Sequence, residues 1–251
     1  VCLAADVEAW RIQKRLDKLE LLDKPEDKKD LPLNFLVDDR SGKDVIIVKD
    51  IDLTIGDKLL LKDTSFQLKY GEKTCLMGPN GSGKSSFIKA LLGTIPLTKG
   101  EIKIGSNVVI GYIPQEIKFE DNNEQVITYV RKCFSGDETR LRSSLHKFMF
   151  YDDDVFKRVG SLSGGEKVRL KLFELIQKKA NLLIMDEPTN HIDIATKEVL
   201  EDALNDFTGT LLFISHDRYF INKLTQKIIY IKNNTIIEYL GDYNYFKEKQ
   251  D

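Results

Sequence analysis

The feature that most constrains this chain is the run GPNGSGKS at residues 78–85, which has the Gly, four residues, Gly, Lys, Ser spacing of a phosphate-binding loop. An apolar run, KTCLM, precedes it, and an amphipathic helix-length stretch follows it. Glycines let backbone N–H groups turn inward around phosphates, Lys84 supplies a mobile positive charge, and the Ser85 hydroxyl can bind Mg²⁺. The sequence predicts a nucleoside triphosphate site formed by Gly78, Pro79, Asn80, Gly81, Ser82, Gly83, Lys84, Ser85 and Ser86.

Composition narrows the class of protein. The 251 residues suffice for one large domain or two small ones, and 38 Lys and Arg nearly balance 40 Asp and Glu, so net charge gives no argument for a polyanionic partner. No apolar run reaches the roughly 18 residues needed to cross a bilayer, and we expect no membrane segment. The three cysteines, Cys2, Cys75 and Cys133, are few and far apart, so we expect a reducing, cytoplasmic location. The first residue, Val1, is not Met, which favours a piece of a longer protein.

Short apolar runs alternate with helix-length amphipathic stretches after residue 32, which is the pattern of an α/β protein. Continuous apolar runs are typical of a parallel sheet buried on both faces. Between Gln115 and Gly160 the strand pattern is absent, so we expect a small helical subdomain inserted into the sheet domain. The predicted strands are 45–48, 74–77, 182–185, 211–214, and the pair 228–231 and 235–239, joined through Asn233 and Asn234 as a hairpin.

A second run, NLLIMDE at residues 181–187, predicts a buried strand that ends in two carboxylates. Doubly wound sheets bind ligands at the carboxyl ends of their strands, where Asp186 can hold Mg²⁺ and Glu187 can polarise an attacking water. The alternative is that the two acids cap the next turn, but Pro188 already breaks the backbone there. We therefore expect Asp186 as a metal ligand and Glu187 as a catalytic residue beside Lys84.

The run LSGGE at residues 162–166 predicts the start of a helix. Ser163 and Glu166 have the spacing of a capping box, and the two glycines between them expose backbone N–H groups to an anion. Considered alone, a capped helix start is usually structural. One nucleotide cannot easily use two anion sites of one compact domain, so we expect Ser163, Gly164, Gly165 and Glu166 to bind a nucleotide held by another copy.

With these motifs, and with SHD at residues 215–217 in the same order, residues 43–249 resemble the ATP-binding cassette (ABC) superfamily. The resemblance implies an ABC ATPase domain with a mostly parallel P-loop sheet core, an antiparallel β subdomain and a helical subdomain at about residues 116–178. It also implies binding and hydrolysis of ATP with Mg²⁺, and closure head-to-tail on a second ABC cassette.

The resemblance assigns three further residues. It implies that Gln115, in YIPQE, is a catalytic residue and metal ligand near the attacking water, that His216 is a catalytic residue contacting the γ-phosphate, and that Asp193 lies at the seam between cassettes. Plainer interpretations are a loop amide for Gln115, a neighbour of a helix cap for His216 and a helix N-cap for Asp193. Ile55 stands where cassettes usually place an aromatic residue to stack on adenine.

Within the superfamily, DEPTNHID and SHDRYFI are similar to the ABC-F class of translation factors and ribosome-protection proteins, whose two cassettes are joined by a helical linker that reaches into the ribosome. Residues 1–31, charged and helical in spacing, would be the end of that linker, and residues 32–251 the second cassette; a solvated helix is the plainer interpretation of residues 1–31. The expected partners are the other cassette, in the same protein or in a homodimer, and ribosomal rRNA and tRNA. The rivals are an ATPase subunit of a membrane transporter and a nucleotide-gated binding module.

Overall fold

The computed structural model describes residues 41–190 and 192–250. The chain divides into two units, Val1–Leu31 and Pro32–Asp251. All the described residues belong to the second unit, so the linker helix expected in residues 1–31 lies outside them, and so does His191. The described strands form two sheets, one of six strands and one of three.

The six-stranded sheet has the order β5-β6-β7-β3-β8-β9. Its first five strands in that order run parallel, and β9 pairs antiparallel to β8. The mostly parallel core predicted from the sequence is therefore confirmed, and so are its predicted strands. Their bounds are β3 Lys73–Met77, β5 Ile110–Ile113, β6 Leu182–Asp186, β7 Thr210–Ile214, β8 Lys227–Lys232 and β9 Thr235–Leu240.

Both faces of this sheet are covered, because every residue of β6 and β7 is buried. Successive side chains of a strand point to opposite faces. Leu183 and Met185 therefore join a core that contains the helical subdomain, whereas Leu182 and Ile184 join a second core that contains the smaller sheet. The continuous apolar run that predicted a doubly buried strand reflects these two cores.

The smaller sheet is antiparallel, in the order β2-β1-β4, with strands Asp44–Ile55 (β1), Lys58–Lys69 (β2) and Lys99–Ile104 (β4). The first helix of the described ranges, α1 (Lys84–Leu91), shares its core: Phe87 packs on Phe66 of β2 with ring centroids 5.5 Å apart. Of this sheet, the sequence predicted a strand only at residues 45–48. The antiparallel β subdomain implied by the family resemblance is confirmed.

Residues 114–181, all of them described, contain helices and no strand, so the inserted helical subdomain is confirmed. Its helices are α2 Val126–Arg131, α3 Glu138–Lys147 and α4 Gly164–Gln177, and later helices are α5 Ile194–Asp206, α6 Arg218–Leu224 and α7 Tyr243–Glu248. Phe173 of α4 centres an aromatic cluster with Phe134 and Phe148. None of the helices in the described ranges is long and apolar enough to span a membrane.

The predicted late hairpin joins the two sheets. Asn233 and Asn234 have φ of 51° and 62°, the left-handed conformation that a tight two-residue hairpin requires. The Asn234 side chain donates to the Leu59 carbonyl oxygen at 2.5 Å, and the Lys62 N–H donates to the Asn234 carbonyl oxygen at 2.8 Å. The turn after β8 therefore holds β2 beside the parallel sheet.

Candidate functional site

The phosphate loop follows β3 directly and leads into α1. Gly78 has φ 154°, and a Cβ there would lie 2.8 Å from Ser82 Oγ and 2.9 Å from the Ile231 carbonyl oxygen. Gly83 has φ 101° and precedes α1 without a side-chain cap. The loop path therefore needs glycine, and the start of α1 presents its positive dipole end to an anion.

Lys84 folds back over this loop. Its ammonium donates to the carbonyl oxygens of Gly78 at 2.9 Å and Pro79 at 3.2 Å. Burial lowers the pKa of Lys84, and the carboxylates of Glu187 and Asp186 oppose that shift. Because its close partners are neutral carbonyls, the charge of Lys84 can exchange them for phosphate oxygens.

A second lysine reaches the loop from the smaller sheet. Lys58, the first residue of β2, donates to the Gly81 carbonyl oxygen at 3.0 Å. The sequence gives no sign of this contact, because its partners lie on different elements. Ile55, across the turn between β1 and β2, is 46% exposed, so its side chain can offer apolar contact to a base but not aromatic stacking.

Two acids lie at the carboxyl end of β6. Asp186 is 4% exposed and Glu187 is 8% exposed, and one oxygen of each, Asp186 Oδ1 and Glu187 Oε2, is buried without a hydrogen-bond partner. Burial raises the pKa of both carboxyl groups above their ordinary values. Since buried polar atoms in native proteins are nearly always paired, these two oxygens can accept hydrogen bonds from, or coordinate, a ligand or water that reaches this edge.

Glu187 has a strained backbone and a histidine partner. Its φ is 52°, and its N–H donates to the Ile214 carbonyl oxygen at 3.0 Å. His216 Nε2 lies 3.2 Å from Glu187 Oε1, and this contact partly opposes the rise in the Glu187 pKa that burial causes. Asp217 is the N-cap of α6, so His216 is both the neighbour of a cap and a partner of the acid.

Ser85 and Gln115 complete this edge of the sheet. The Ser85 side chain lies against Asp186 and partly opposes the effect of burial on the Asp186 pKa. Gln115 is exposed and comes two residues after β5, whose last residue, Ile113, pairs with Met185 of β6. The structure thus brings Ser85 to Asp186 and places Gln115 at the neighbouring strand end.

A hydroxyl and a carboxylate are hard oxygen ligands of the kind that Mg²⁺ prefers, so Ser85 and Asp186 fit this ion. The orphaned Asp186 Oδ1 agrees with that fit. Within the described ranges, no group of three or more His, Cys, Asp or Glu is placed to hold a metal. Mg²⁺ at this edge would therefore share its coordination with phosphate oxygens and water.

The start of α4 is internally capped. Ser163 Oγ accepts the Glu166 N–H at 3.2 Å, and Glu166 Oε2 accepts the Ser163 N–H at 2.7 Å, so the predicted capping box is confirmed. Lys157 Nζ lies 2.9 Å from the other Glu166 oxygen. Ser163 and Gly164 are exposed, so they are accessible to a ligand or to another copy.

Gly165, by contrast, is buried against the start of α5. A Cβ there would lie 2.9 Å from both Asp193 Oδ2 and Thr196 Oγ1. Asp193 accepts the Thr196 N–H at 2.8 Å, so its interpretation as a helix N-cap is confirmed. The buried Arg169 donates from α4 to the Thr196 hydroxyl. These contacts, which no motif predicted for Arg169 or Thr196, fix the starts of α4 and α5 to each other.

A phosphate loop, a doubly wound sheet and a buried acid pair at the same edge define a P-loop nucleotide-binding domain. The chain belongs to the ABC transporter family, whose pattern matches residues 61–190, and it is an ABC ATPase domain. This result confirms the fold class expected from the sequence.

The relatives carry F-family and ATP-binding names. YdiF of Bacillus subtilis is 44% identical, over 95% of this chain and 38% of its own length. ABC transporter F family member 5 of Arabidopsis thaliana is 38% identical, over 94% and 35%, and ATP-binding protein Uup of Escherichia coli is 35% identical, over 84% and 34%. The chain spans little more than a third of the length of these relatives.

Solved structures agree on the fold. A bacterial Atm1-family ABC exporter with ATP bound matches with a TM-score of 0.70 and 18% identity, over 86% of this chain and 41% of the exporter chain. An ATP binding subunit of an ABC transporter matches with a TM-score of 0.69 and 19% identity, over 82% and 93%. At such identities the likeness carries the fold alone.

Proposed function

We propose that the chain is a cassette of an ABC-F protein that binds and hydrolyses ATP. The observation that carries the proposal is the acid pair, Asp186 and Glu187, whose orphaned oxygens lie at the same sheet edge as the phosphate loop. A buried polar group left unpaired destabilises a protein by about 1–3 kcal/mol, and more when charged. A ligand that binds to both unpaired oxygens would remove this cost in stability.

The phosphates of ATP would lie along residues 78–86, where glycines keep side chains away from the loop. Backbone N–H groups and the dipole of α1 attract the phosphate charge. Lys84 would exchange its carbonyl partners for the terminal phosphate oxygens. Its main effect is electrostatic, because negative charge on those oxygens is held by a positive group already in place.

Ser85 and Asp186 would hold Mg²⁺, with Gln115 of the neighbouring strand end as a further oxygen ligand. Bound Mg²⁺ supplies positive charge that neutralises phosphate oxygens. Support comes from the Ser85 contact with Asp186 and from the unpaired Asp186 Oδ1.

Glu187 would accept a proton from the attacking water. Burial raises its pKa, which makes the carboxylate a stronger base at neutral pH. His216 Nε2, at 3.2 Å, orients one carboxylate oxygen and leaves Oε2 for the water. The His216 side chain is 59% exposed, so it can also contact the γ-phosphate from the open side of the site.

A second cassette would close this open side. The residues of that cassette that correspond to Ser163, Gly164, Gly165 and Glu166 would face the γ-phosphate, and the LSGGE run of this chain would serve the other nucleotide. Support comes from the exposure of Ser163 and Gly164 at a helix start whose shape is fixed by its own cap. The relatives are long enough to contain a second cassette in the same protein.

Association with the ribosome is the most specific part of the proposal. It rests on the likeness of DEPTNHID and SHDRYFI to the ABC-F translation factors and on the F-family name of two Arabidopsis relatives. A cytoplasmic location and a linker in residues 1–31 belong to the same proposal.

Sedimentation of the natural full-length protein with ribosomes tests it. Carrying Glu187→Gln, the protein should pellet with ribosomes in ATP and not in ADP, whereas Lys84→Ala should leave it in the supernatant. ATP-dependent recovery with membranes instead would favour a transporter ATPase. If the wild type responds to ATP but releases no phosphate above the Glu187→Gln background, a nucleotide-gated binding module is the better description.

A further inference from the structure

A cavity of about 240 Å³ lies beside the phosphate loop, on the side of α7. One wall is the start of the loop with Lys84. The second wall is the turn after β7 with His216, and the third is α7 with Tyr243 and Lys247. The cavity therefore touches the predicted γ-phosphate groups but extends away from residues 80–83, which do not line it.

The third wall is held firmly. Phe246 of α7 is 3% exposed, and its ring lies 5.1 Å from the rings of both Tyr230 and Tyr239 and 6.0 Å from that of Tyr243. This aromatic cluster anchors α7 on β8 and β9. Lys247, the next residue, is exposed but is carried to the cavity by a fixed backbone.

The cavity has a positively charged lining. Lys84 and Lys247 line it together with the His216 imidazole, and none of its lining residues is an Asp or Glu. Glu187 contacts His216 but is not part of the lining. An anion gains from such a wall, and more so where apolar rings lower the local dielectric constant. Pockets for drug-sized ligands have volumes of about 300–1,000 Å³, so this cavity suits a smaller ion.

We propose that this cavity binds inorganic phosphate and receives the phosphate released from ATP, an inference that rests on the proposed function. In that reaction the water oxygen bonds to the γ-phosphorus and the bond to the β–γ bridging oxygen breaks. ADP keeps that oxygen with its electron pair, and Glu187 passes the water proton on to solvent. The phosphate is then beside Lys84 and His216, both of which line the cavity, so it can leave without passing ADP.

Lys247 is the residue that distinguishes the proposed phosphate site from the nucleotide site in an experiment. It lines the cavity but lies outside the phosphate loop and outside the acid pair. Removing its charge should therefore weaken phosphate binding without weakening ATP binding. Lys249 is the matched control, since it is an exposed lysine at the end of the same helix whose ammonium lies 5.7 Å from the Tyr245 ring, and it does not line the cavity.

The experiment titrates inorganic phosphate into the chain saturated with ADP, by calorimetry, so that no turnover is needed. Wild type and Lys249→Ala should bind phosphate equally. Lys247→Ala should bind it roughly tenfold more weakly, as expected when one charge-assisted contact is lost, and Lys247→Arg should keep most of the affinity. The affinity of all four chains for ATP should agree within about twofold.

Two results would overturn the inference: wild-type chain that binds no phosphate, or equal phosphate affinity in wild type and Lys247→Ala. A parallel loss of ATP affinity in Lys247→Ala would also overturn it, because Lys247 would then belong to the nucleotide site. Failure of the wild type to hydrolyse ATP would contradict the proposed function instead, since the titration is decided without hydrolysis.

Discussion

Two helices of this cassette begin at predicted anion sites, and they begin in opposite ways. The first, α1, follows Gly83 in a left-handed conformation, with no side-chain cap and no acidic residue in its first turn. The other, α4, begins with the reciprocal bonds of Ser163 and Glu166. A helix start without a cap depends on an outside partner for its N–H groups, whereas a capping box satisfies part of them internally.

The carboxylates near the two helix starts differ in the same way. Beside α1, Asp186 and Glu187 each keep one buried oxygen unpaired, whereas at α4 Glu166 pairs with Lys157 at 2.9 Å. The first site keeps unpaired carboxylate oxygens that a ligand can complete, whereas the cap of the second is paired within the chain and leaves Ser163 exposed. Further along α4, Arg169 Nε is also buried without a hydrogen-bond partner. The comparison teaches that unpaired acids support a proposed reaction site when they lie beside a phosphate loop, whereas an unpaired atom alone, such as Arg169 Nε, does not mark one.

The largest effect expected at the incomplete site is that of Glu187→Gln. Loss of the general base should lower kcat for ATP hydrolysis by about 10²- to 10⁴-fold while ATP still binds. Phosphate release and nucleotide binding should be measured together. Glu198→Gln, on the exposed side of α5, is the control and should be unchanged. Normal turnover in Glu187→Gln would remove this residue from its proposed role.

Lys84→Ala should have the second-largest effect, on ATP binding. Losing a charge-assisted contact to phosphate is expected to weaken ATP binding by about 1.5–3 kcal/mol, roughly ten- to a hundredfold. Lys89→Ala, an exposed lysine in the last turn of α1, serves as the comparison and should bind ATP as the wild type does. If equilibrium binding shows equal affinity in both variants, the predicted role of Lys84 is wrong.

At the self-sufficient site, Ser163→Ala should lower the stability of the single chain, because Ser163 caps α4 and, in the proposed arrangement, serves only the nucleotide of the other cassette. Removing an N-cap hydroxyl typically destabilises by about 1 kcal/mol, which denaturant unfolding of the chain can detect. Ser163→Thr should keep most of the cap. The contrast between the two helix starts would fail if Ser163→Ala unfolded at the wild-type midpoint.

The smallest effect concerns pH. Burial raises the pKa of Asp186 and Glu187 above 3.8 and 4.5, so between these values and the raised ones the native state holds more protons than the unfolded state. The free energy of unfolding, measured without nucleotide or metal, should therefore fall as pH rises through that window. Combining Asp186→Asn with Glu187→Gln should flatten this part of the profile. An unchanged slope would mean that the two acids do not titrate abnormally.

The sequence predicted what short patterns encode. Continuous apolar runs located β6 and β7, and Ser-x-x-Glu spacing located the capping box at Ser163. It missed β2, β4 and β5. In β4 the only alternation is the short run Ile102, Lys103, Ile104, and of these only Ile102 is even half-buried. An edge strand of this kind is defined by pairing with β1, which only the folded chain supplies.

The site followed the same rule. Every residue of the phosphate loop could be predicted, because its function needs neighbours in sequence. Lys58 and Arg169 could not, since the first contacts Gly81 and the second contacts Thr196, each on another element. Arg169 lies within the apolar stripe of α4, and a charge at such a position is the one local sign of a buried partner.

The backbone at Glu187 has a consequence for protein engineering. A non-glycine residue at φ 52° is held in a conformation that costs about 1–3 kcal/mol, and its carboxylate is buried as well. A laboratory screen for heat tolerance alone should therefore accept glycine at this position, and under the proposed mechanism the selected variant would no longer hydrolyse ATP. Thermal stability and the proposed activity favour different residues at position 187, so variants selected for one property have to be assayed for the other.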